Sequence, residues 1–493
     1  MNSSGNKRWI YIVQIIYISL SAVAIARHEP WFDEAQAWLI ARDSGFYSMM
    51  FKYMRYEGSP GLWHTLLMIP ARMHMPYISL NVLSGLIAAA SAFIFMRFSP
   101  LPLFIKLMYP FSFFAFYQYA IIARSYILLP LFLFLIAMSY KDKEMHQVRY
   151  MLLLCLLANI SLHGFIIASA LFLIHISDLG KRLKATSKTD MLRHLLSSVL
   201  FCMTAVFIIF QLKSPPDLLS FAASKPEIKD LYTLTITMFS DSLATNLMAS
   251  PVNSGILYIV TRSFACFTIV VSLIWFSLRG RLTIFLLPMT GLCLLFTLVY
   301  ANLWHQGILF YLWLFVMWLS FENSGSIRIP FTRLTGRVII ICLAGVLSVQ
   351  AYWSYRSFSY DCSSSYSGSR ELASYIKANH LESKRIYINN FYPIAVLPYF
   401  SENLFCNYHD RQKPCFWLWS SKNNMYLEPF HLYKSYNPDY IIYSIKFSIN
   451  TAESKNRILP EIPGYKLVRI FAGNLFWKDG IFESDSYAFF EKA

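Results

Sequence analysis

Charge is scarce in this sequence. Only 14% of its 493 residues are Asp, Glu, Lys or Arg, whereas 56% are hydrophobic. A soluble globular domain carries about a quarter charged residues, so that class is excluded. Acidic residues are scarcer still, 27 against 43 Lys and Arg, which leaves a formal net charge of +16. The surplus does not mark a nucleic-acid binder. Much of it sits in short connections between apolar runs, where Lys and Arg set membrane topology. Also missing are an internal repeat, a low-complexity tract and a full set of zinc ligands. The segment CNYHDRQKPC, from Cys406 to Cys415, offers His409 and two cysteines. That is too few for a structural zinc site but suits a local disulfide in an oxidising compartment. The cysteines at 155, 202, 266, 293 and 342 lie within apolar runs and read as small buried hydrophobes.

Long apolar runs are abundant. A bilayer core of roughly 30 Å calls for about 20 apolar residues per helix. The runs predict helices near 9–26, 77–96, 101–118, 120–140, 149–162, 164–177, 195–212, 256–278, 282–303, 306–321 and 337–355, eleven spans in all. The first follows Lys7 and Arg8 and ends in AVAIA, which matches the small-residue pattern of signal cleavage. Its length and the many spans that follow favour an uncleaved first helix.

The run from Gly61 to Ile69 is too short to span and is closed by Pro70 and Arg72. If it does not cross, one side collects Lys7, Arg8, Arg97, Lys106, Lys141, Lys143, Arg149, the basic cluster 181–193, Arg279, Arg281, Arg328, Arg333 and Arg337. The opposite connections then hold only Arg124, Lys213, Lys225 and Lys229. Crossing would reverse this bias. The positive-inside rule thus makes 60–73 a surface or re-entrant helix on the outer face, with the N-terminus cytoplasmic. Three regions then face outward: the loop 27–76, the polar stretch 213–255 with Pro215, Pro216 and Pro226, and 356–493. Within the last, SRELASYIKAN reads as a helix, and RIYIN, DYIIYSI and YKLVRIF read as strands. The expected fold is a polytopic α-helical membrane module, 1–355, followed by a small extracytoplasmic α/β domain, 356–493.

Polar residues concentrate where the expected helices meet the outer face. WFDEAQAWLIARD carries Asp33 and Glu34 at the start of a helical stretch. Acidic residues there can simply complement the helix dipole. Among Trp31, Phe32 and Trp38 they can also act as a general base or hold a divalent cation. RYEGSPGLWH adds Glu57 and His64 around a Gly-Pro-Gly turn. YQYAIIARSYIL adds Arg124 and Tyr126, NISLHGF adds His163, and ANLWHQG adds His305. An arginine between apolar runs either snorkels or pairs. Its forked donors also suit a lipid-linked phosphate. The two histidines read equally as packing groups or as site residues.

The ordered set WFDEAQAWLIARD, EGSPGLWH and QYAIIARSYIL resembles the GT-C superfamily of polyprenyl-phosphate-sugar-dependent glycosyltransferases. It is nearest to bacterial relatives of protein O-mannosyltransferases and lipid A aminoarabinose transferases. The resemblance covers roughly residues 9–320. It implies an inverting transfer of a sugar from a polyprenyl-phosphate donor to an envelope glycan, lipid or protein at the outer face of the bacterial inner membrane. On that analogy Asp33 and Glu34 are catalytic, with Asp33 as base or as ligand of a Mg or Mn ion. Arg124 and Tyr126 hold the donor phosphate, and Glu57, His64, His163 and His305 bind substrate. Related sequences often carry a His-Pro-Pro run where this one has SPGLWH, so no role passes to Ser59 or Pro60. Two rival classes remain open: a flippase for a polyprenyl-linked intermediate, and a non-catalytic envelope-assembly protein. A transporter would place ionisable groups near the bilayer midplane on broken helices in matching halves, and this sequence shows no such halves.

Overall fold

The computed structural model describes residues 3–182, 187–219, 228–246, 255–322, 330–423, 432–446 and 459–493. In chain order the helices are α1 (Ser3–Arg27), α2 (Phe32–Asp43), α3 (Leu62–Arg72), α4 (Ser79–Phe98), α5 (Leu103–Met108), α6 (Leu128–Ser139), α7 (Gln147–Ala158), α8 (Leu162–Arg182), α9 (Lys188–Leu212), α10 (Ile228–Leu243), α11 (Gly255–Leu278), α12 (Leu282–Leu298), α13 (Gln306–Phe321), α14 (Pro330–Ser363) and α15 (Ser369–Ala378), besides short turns. The protein is mostly helical and has the character of a polytopic membrane protein. Among the described residues, seven helices (α1, α4, α8, α9, α11, α13 with its leading turn, and α14) are long and apolar enough to cross a bilayer. Three more, α6, α7 and α12, are apolar but shorter than a standard span. The expected count of eleven is therefore not reached.

The clearest departure is 101–118, which forms no continuous helix and instead runs back along α4, with Tyr109 against Phe95 and Tyr119 beside Ser84. Pro110 lacks an N–H and its ring clashes with the preceding turn. The chain accordingly leaves α5 through a 3-10 turn at Tyr109–Phe111, extends at Ser112 and forms a π-helical turn at Phe114–Gln118. Residues 112–123 are all buried. Buried irregular backbone must find hydrogen-bond partners within the protein. Here side chains supply them. Tyr17 donates to the Ala115 carbonyl at 2.8 Å, Ser84 to Tyr119 at 3.0 Å and Asn81 to Ile121 at 2.9 Å. Gly307 in α13 admits the closest approach, since a Cβ there would lie 2.5 Å from the Tyr119 ring.

The stretch expected as an outer loop, 213–255, contains α10. Its segments 220–227 and 247–254, with Lys225 and Pro226, lie outside the described residues, as does Arg328. The short run near 60–73 is the eleven-residue α3. At 1.5 Å per residue it cannot span, and it packs against α2.

The C-terminal region carries strands β1 (Ile386–Ile388), β2 (Tyr440–Ile445), β3 (Tyr465–Phe471), β4 (Asn474–Trp477), β5 (Gly480–Ser484) and β6 (Ser486–Lys492). Four form a sheet in the order β1-β2-β6-β3, parallel between β1 and β2 and antiparallel elsewhere, and β4–β5 is a separate hairpin. The helix and the three strands expected here coincide with α15, β1, β2 and β3. Cys406 and Cys415 are free, each buried in a different apolar cluster, so the local disulfide does not form.

The β4–β5 turn anchors this region to the helices. The Lys478 ammonium is fully buried and donates to the carbonyls of Asp241 at 2.6 Å and Thr245 at 2.7 Å, at the C-terminal end of α10. Burial pushes its pKa down to about 7, against the pull of Asp241 and Asp479.

Candidate active site

A cavity of about 230 Å³ opens where the start of α2, the turn before α3, the 123–126 segment and the start of α13 meet. Helical phase decides what α2 contributes. Residues three and four apart share a face, and Asp33, Gln36 and Ala37 all line the cavity. Glu34, turned by about 100°, does not. It is fully buried and accepts from Ala123 N and Asn81 Nδ2 at 2.8 Å, His28 Nε2 at 3.2 Å and Trp31 N at 3.3 Å. The acidic pair of the sequence is thus two groups with separate tasks. Glu34 ties the ends of α1, α2 and α4 to the irregular segment that leads into Arg124. The two carboxyls do not share a metal position.

Behind Glu34 lies a second buried carboxyl. His28 bridges the two, with Nδ1 2.9 Å from Asp361 and Nε2 3.2 Å from Glu34, all three side chains fully buried. Burial alone would lower the His28 pKa, but the flanking carboxyls outweigh it and raise it to about 10. Tyr117 donates to the other Asp361 oxygen at 2.9 Å.

Within the cavity, Arg124 Nη1 lies 3.0 Å from Asp33 Oδ2, the two side chains 22% and 29% exposed. The contact is an ion pair without hydrogen-bond alignment, so this buried Nη1 keeps an unsatisfied donor. The guanidinium lies 5.2 Å over the Tyr126 ring and 5.8 Å from that of Trp304. Two aromatic rings flank it at the cavity wall.

Glu57 is half-buried at the end of a helical turn that Gly58 closes in a left-handed conformation. Its carboxyl accepts from Gln36 Nε2 at 2.8 Å. Burial pushes its pKa up to about 7, the Gln36 bond opposes this, and nearby Asp33 adds to it. Gln36 also clasps the backbone of Trp417 through both its amide atoms, at 2.7 and 2.8 Å. That clasp brings Trp419 to the cavity wall. His64 is buried on α3, and desolvation lowers its pKa to about 4, so it enters the site as a neutral imidazole.

His305 accepts from Asn302 N at its Nδ1 at 3.1 Å, which leaves Nε2 to carry the proton. Its ring centroid lies 4.3 Å from that of His163. His163 stands behind Tyr126 and His305 and does not itself line the cavity.

Of the site residues expected from the sequence, Asp33, Glu57, His64, Arg124, Tyr126 and His305 line this one cavity, whereas Glu34 and His163 do not. Several lining residues carried no signal of their own. Gln36 was hidden inside an acidic motif, Asn302 and Trp304 beside His305, and Trp419 some 380 residues from Asp33 in sequence. Tyr300, Ser125 and Ser161 also line the cavity. Among the described residues no three His, Cys, Asp or Glu side chains cluster as a metal site. Compared with models of known protein families and with curated proteins, the chain matches none.

Proposed function

We propose that this protein is a membrane glycosyltransferase that moves a sugar from a polyprenyl-phosphate donor to an envelope glycan, lipid or protein. The observation that carries this reading is the convergence of a carboxylate, an arginine with an unsatisfied donor and neutral imidazoles on one cavity at the ends of membrane helices. A polyprenyl donor keeps its tail in lipid and its phosphate at the interface, so the reacting groups belong at that depth. On the positive-inside reading of the sequence, the N-terminus is cytoplasmic and this cavity faces outward at the inner membrane.

The acceptor hydroxyl attacks the anomeric carbon and its proton passes to Asp33. The bond from that carbon to the phosphate oxygen breaks, and the electron pair leaves with polyprenyl phosphate, whose charge Arg124 stabilises. Direct displacement inverts the anomeric centre. Arg124 begins paired with Asp33. An incoming phosphate competes for the guanidinium and so loosens the base as the donor arrives. Tyr126 and Trp304 flank the guanidinium, whose forked donors suit two-pronged contact with a phosphate. Glu57, His64 and His305 face the sugar and acceptor, and His163 steadies Tyr126 and His305 from behind. If the reaction uses a Mg or Mn ion, Asp33 and Glu57 supply its oxygens and Glu34 does not.

Release of polyprenyl phosphate in membranes containing the protein tests this. Asp33→Asn is expected to lower the rate by 100-fold or more, the usual order for losing a general base. Equal release from wild type and Asp33→Asn would sink the catalytic assignment.

A further inference from the structure

A second cavity lies at the opposite end of the helix bundle. Helix α8 runs from beside Ser161, which lines the first cavity, to Arg182 at the second. Twenty-one helical residues rise about 30 Å, one hydrocarbon thickness. Helix α12 packs alongside α8 in the reverse direction, with Ile284 and Leu287 at the second cavity and Tyr300, just beyond its end, at the first.

This second cavity is the larger, about 570 Å³. Five cationic side chains line it, at 141, 143, 181, 182 and 281, against two acidic ones, Glu144 and Asp178. Both carboxylates are engaged. Asp178 holds Lys143 at 3.1 Å, with Lys181 at 3.9 Å, and Glu144 pairs with Arg182. Lys141 and Arg281 have no carboxylate at ion-pair distance among the described residues. Glu322 feels both charges but pairs with neither. The Arg281 guanidinium lies 5.8 Å from the Tyr140 ring. The cavity therefore keeps two cations outside any ion pair on its polar side.

Its other wall is apolar and lies on the exposed surface of two apolar helices. Leu173 of α8 and Leu287 of α12 are 57% and 39% exposed, and Ile284 joins them in the lining. A cationic rim above an apolar groove between two membrane helices complements one chemistry, a phosphodiester attached to an acyl chain. We propose that this cavity binds an anionic phospholipid of the surrounding bilayer, with the phosphodiester between Lys141 and Arg281 and an acyl chain along the groove between Leu173 and Leu287. A free phosphate would satisfy the cations but leave the apolar wall uncovered. The inference rests on membrane residence and not on the reaction proposed for the first cavity.

The test uses the full chain in a neutral detergent, with phosphatidylglycerol, phosphatidylcholine of the same acyl chains, or inorganic phosphate added. Lipid retention is read by native mass spectrometry and stability by thermal unfolding. Phosphatidylglycerol is expected to stay bound and to raise the unfolding midpoint, while phosphatidylcholine and inorganic phosphate do neither. The double variant Lys141→Gln, Arg281→Gln should retain at least tenfold less phosphatidylglycerol. Lys141→Gln alone, at an exposed position, should show a smaller loss in the same direction. Undiminished retention in Lys141→Gln and the double variant, equal retention of phosphatidylcholine, or equal stabilisation by inorganic phosphate would each overturn the proposal.

Discussion

Asp33 and Glu34 are neighbours in sequence, and substitutions at the two should fail in different ways. Glu34 accepts two bonds at 2.8 Å, from Ala123 N and Asn81 Nδ2, and two longer ones from His28 and Trp31. A buried hydrogen bond to a charged group contributes about 1.5–3 kcal/mol. The two short bonds alone therefore put the cost of Glu34→Ala at about 3–6 kcal/mol. His28 also loses one of the two carboxyls that hold its proton. Asp33 makes a single ion pair and is 29% exposed. Asp33→Asn keeps an oxygen facing Arg124 and should thus cost about 1–2 kcal/mol, less than Glu34→Ala. The assay is thermal unfolding of purified protein, run beside polyprenyl-phosphate release. Glu34→Ala should unfold many degrees below wild type. Glu34→Gln keeps one acceptor oxygen for Ala123 and Asn81, and should recover part of both stability and rate. Asp33→Asn should stay near the wild-type midpoint, well above Glu34→Ala, and lose the rate. A wild-type midpoint for Glu34→Ala, or an unfolded Asp33→Asn, would refute this division of labour.

Glu57 sets a pH dependence whose sign follows from its raised pKa. The folded protein holds this proton up to about pH 7, whereas an unfolded chain releases it near its ordinary value of 4.5. Its contribution is therefore full below pH 4.5 and is lost as pH rises through 7. Plotted against pH, the midpoint difference between wild type and Glu57→Gln should fall across that window and then level off. Gly307→Ala places a methyl 2.5 Å from the Tyr119 ring and 2.7 Å from Phe114. It should cost about 1–3 kcal/mol, read as a lower midpoint, and should slow release by displacing the segment that carries Arg124. Lys478→Ala removes the donor to two carbonyls at and just beyond the end of α10. At about 1–3 kcal/mol for each group left unmatched, limited proteolysis should show the C-terminal region released more readily than in wild type.

Elements with local causes were legible in the sequence. Composition fixed the membrane class, and apolar length located the long helices. The 385–389, 439–445 and 465–471 strands followed from alternating β-branched and aromatic residues. Asp33, Glu57, His64, Arg124, Tyr126 and His305 could be named because each is a polar residue stranded at an apolar boundary, where a stray charge needs a reason. What escaped depends on partners distant in sequence. The 101–118 run is apolar enough for a span, yet Pro110 breaks it, and donors on α1 and α4 make the broken backbone tolerable. Which of two adjacent carboxyls faces the cavity depends on the rotation of α2, and packing around Trp31 and Phe32 sets that. Trp419 reaches the site only because Gln36 clasps Trp417.

Buried polarity in this bundle therefore has two uses that sequence alone cannot separate, and the bonding of each group separates them. Asn81, Ser84 and the carboxyl of Glu34 spend their capacity on the backbone of 119–123 or its neighbours. Such groups hold a shape. Arg124 is held by an ion pair and flanked by two rings but keeps a donor unsatisfied, and Asp33 meets it from a partly open face. Such groups have capacity left for something that enters. The two sets are coupled, because Ala123, bound by Glu34, directly precedes Arg124. Placing an arginine at membrane depth is costly unless its position is fixed. An irregular segment pinned by a buried carboxyl provides that fixity where a continuous helix would have turned residue 124 toward a face dictated by its own period. The broken span at 101–118 is on this account the structural condition for the site.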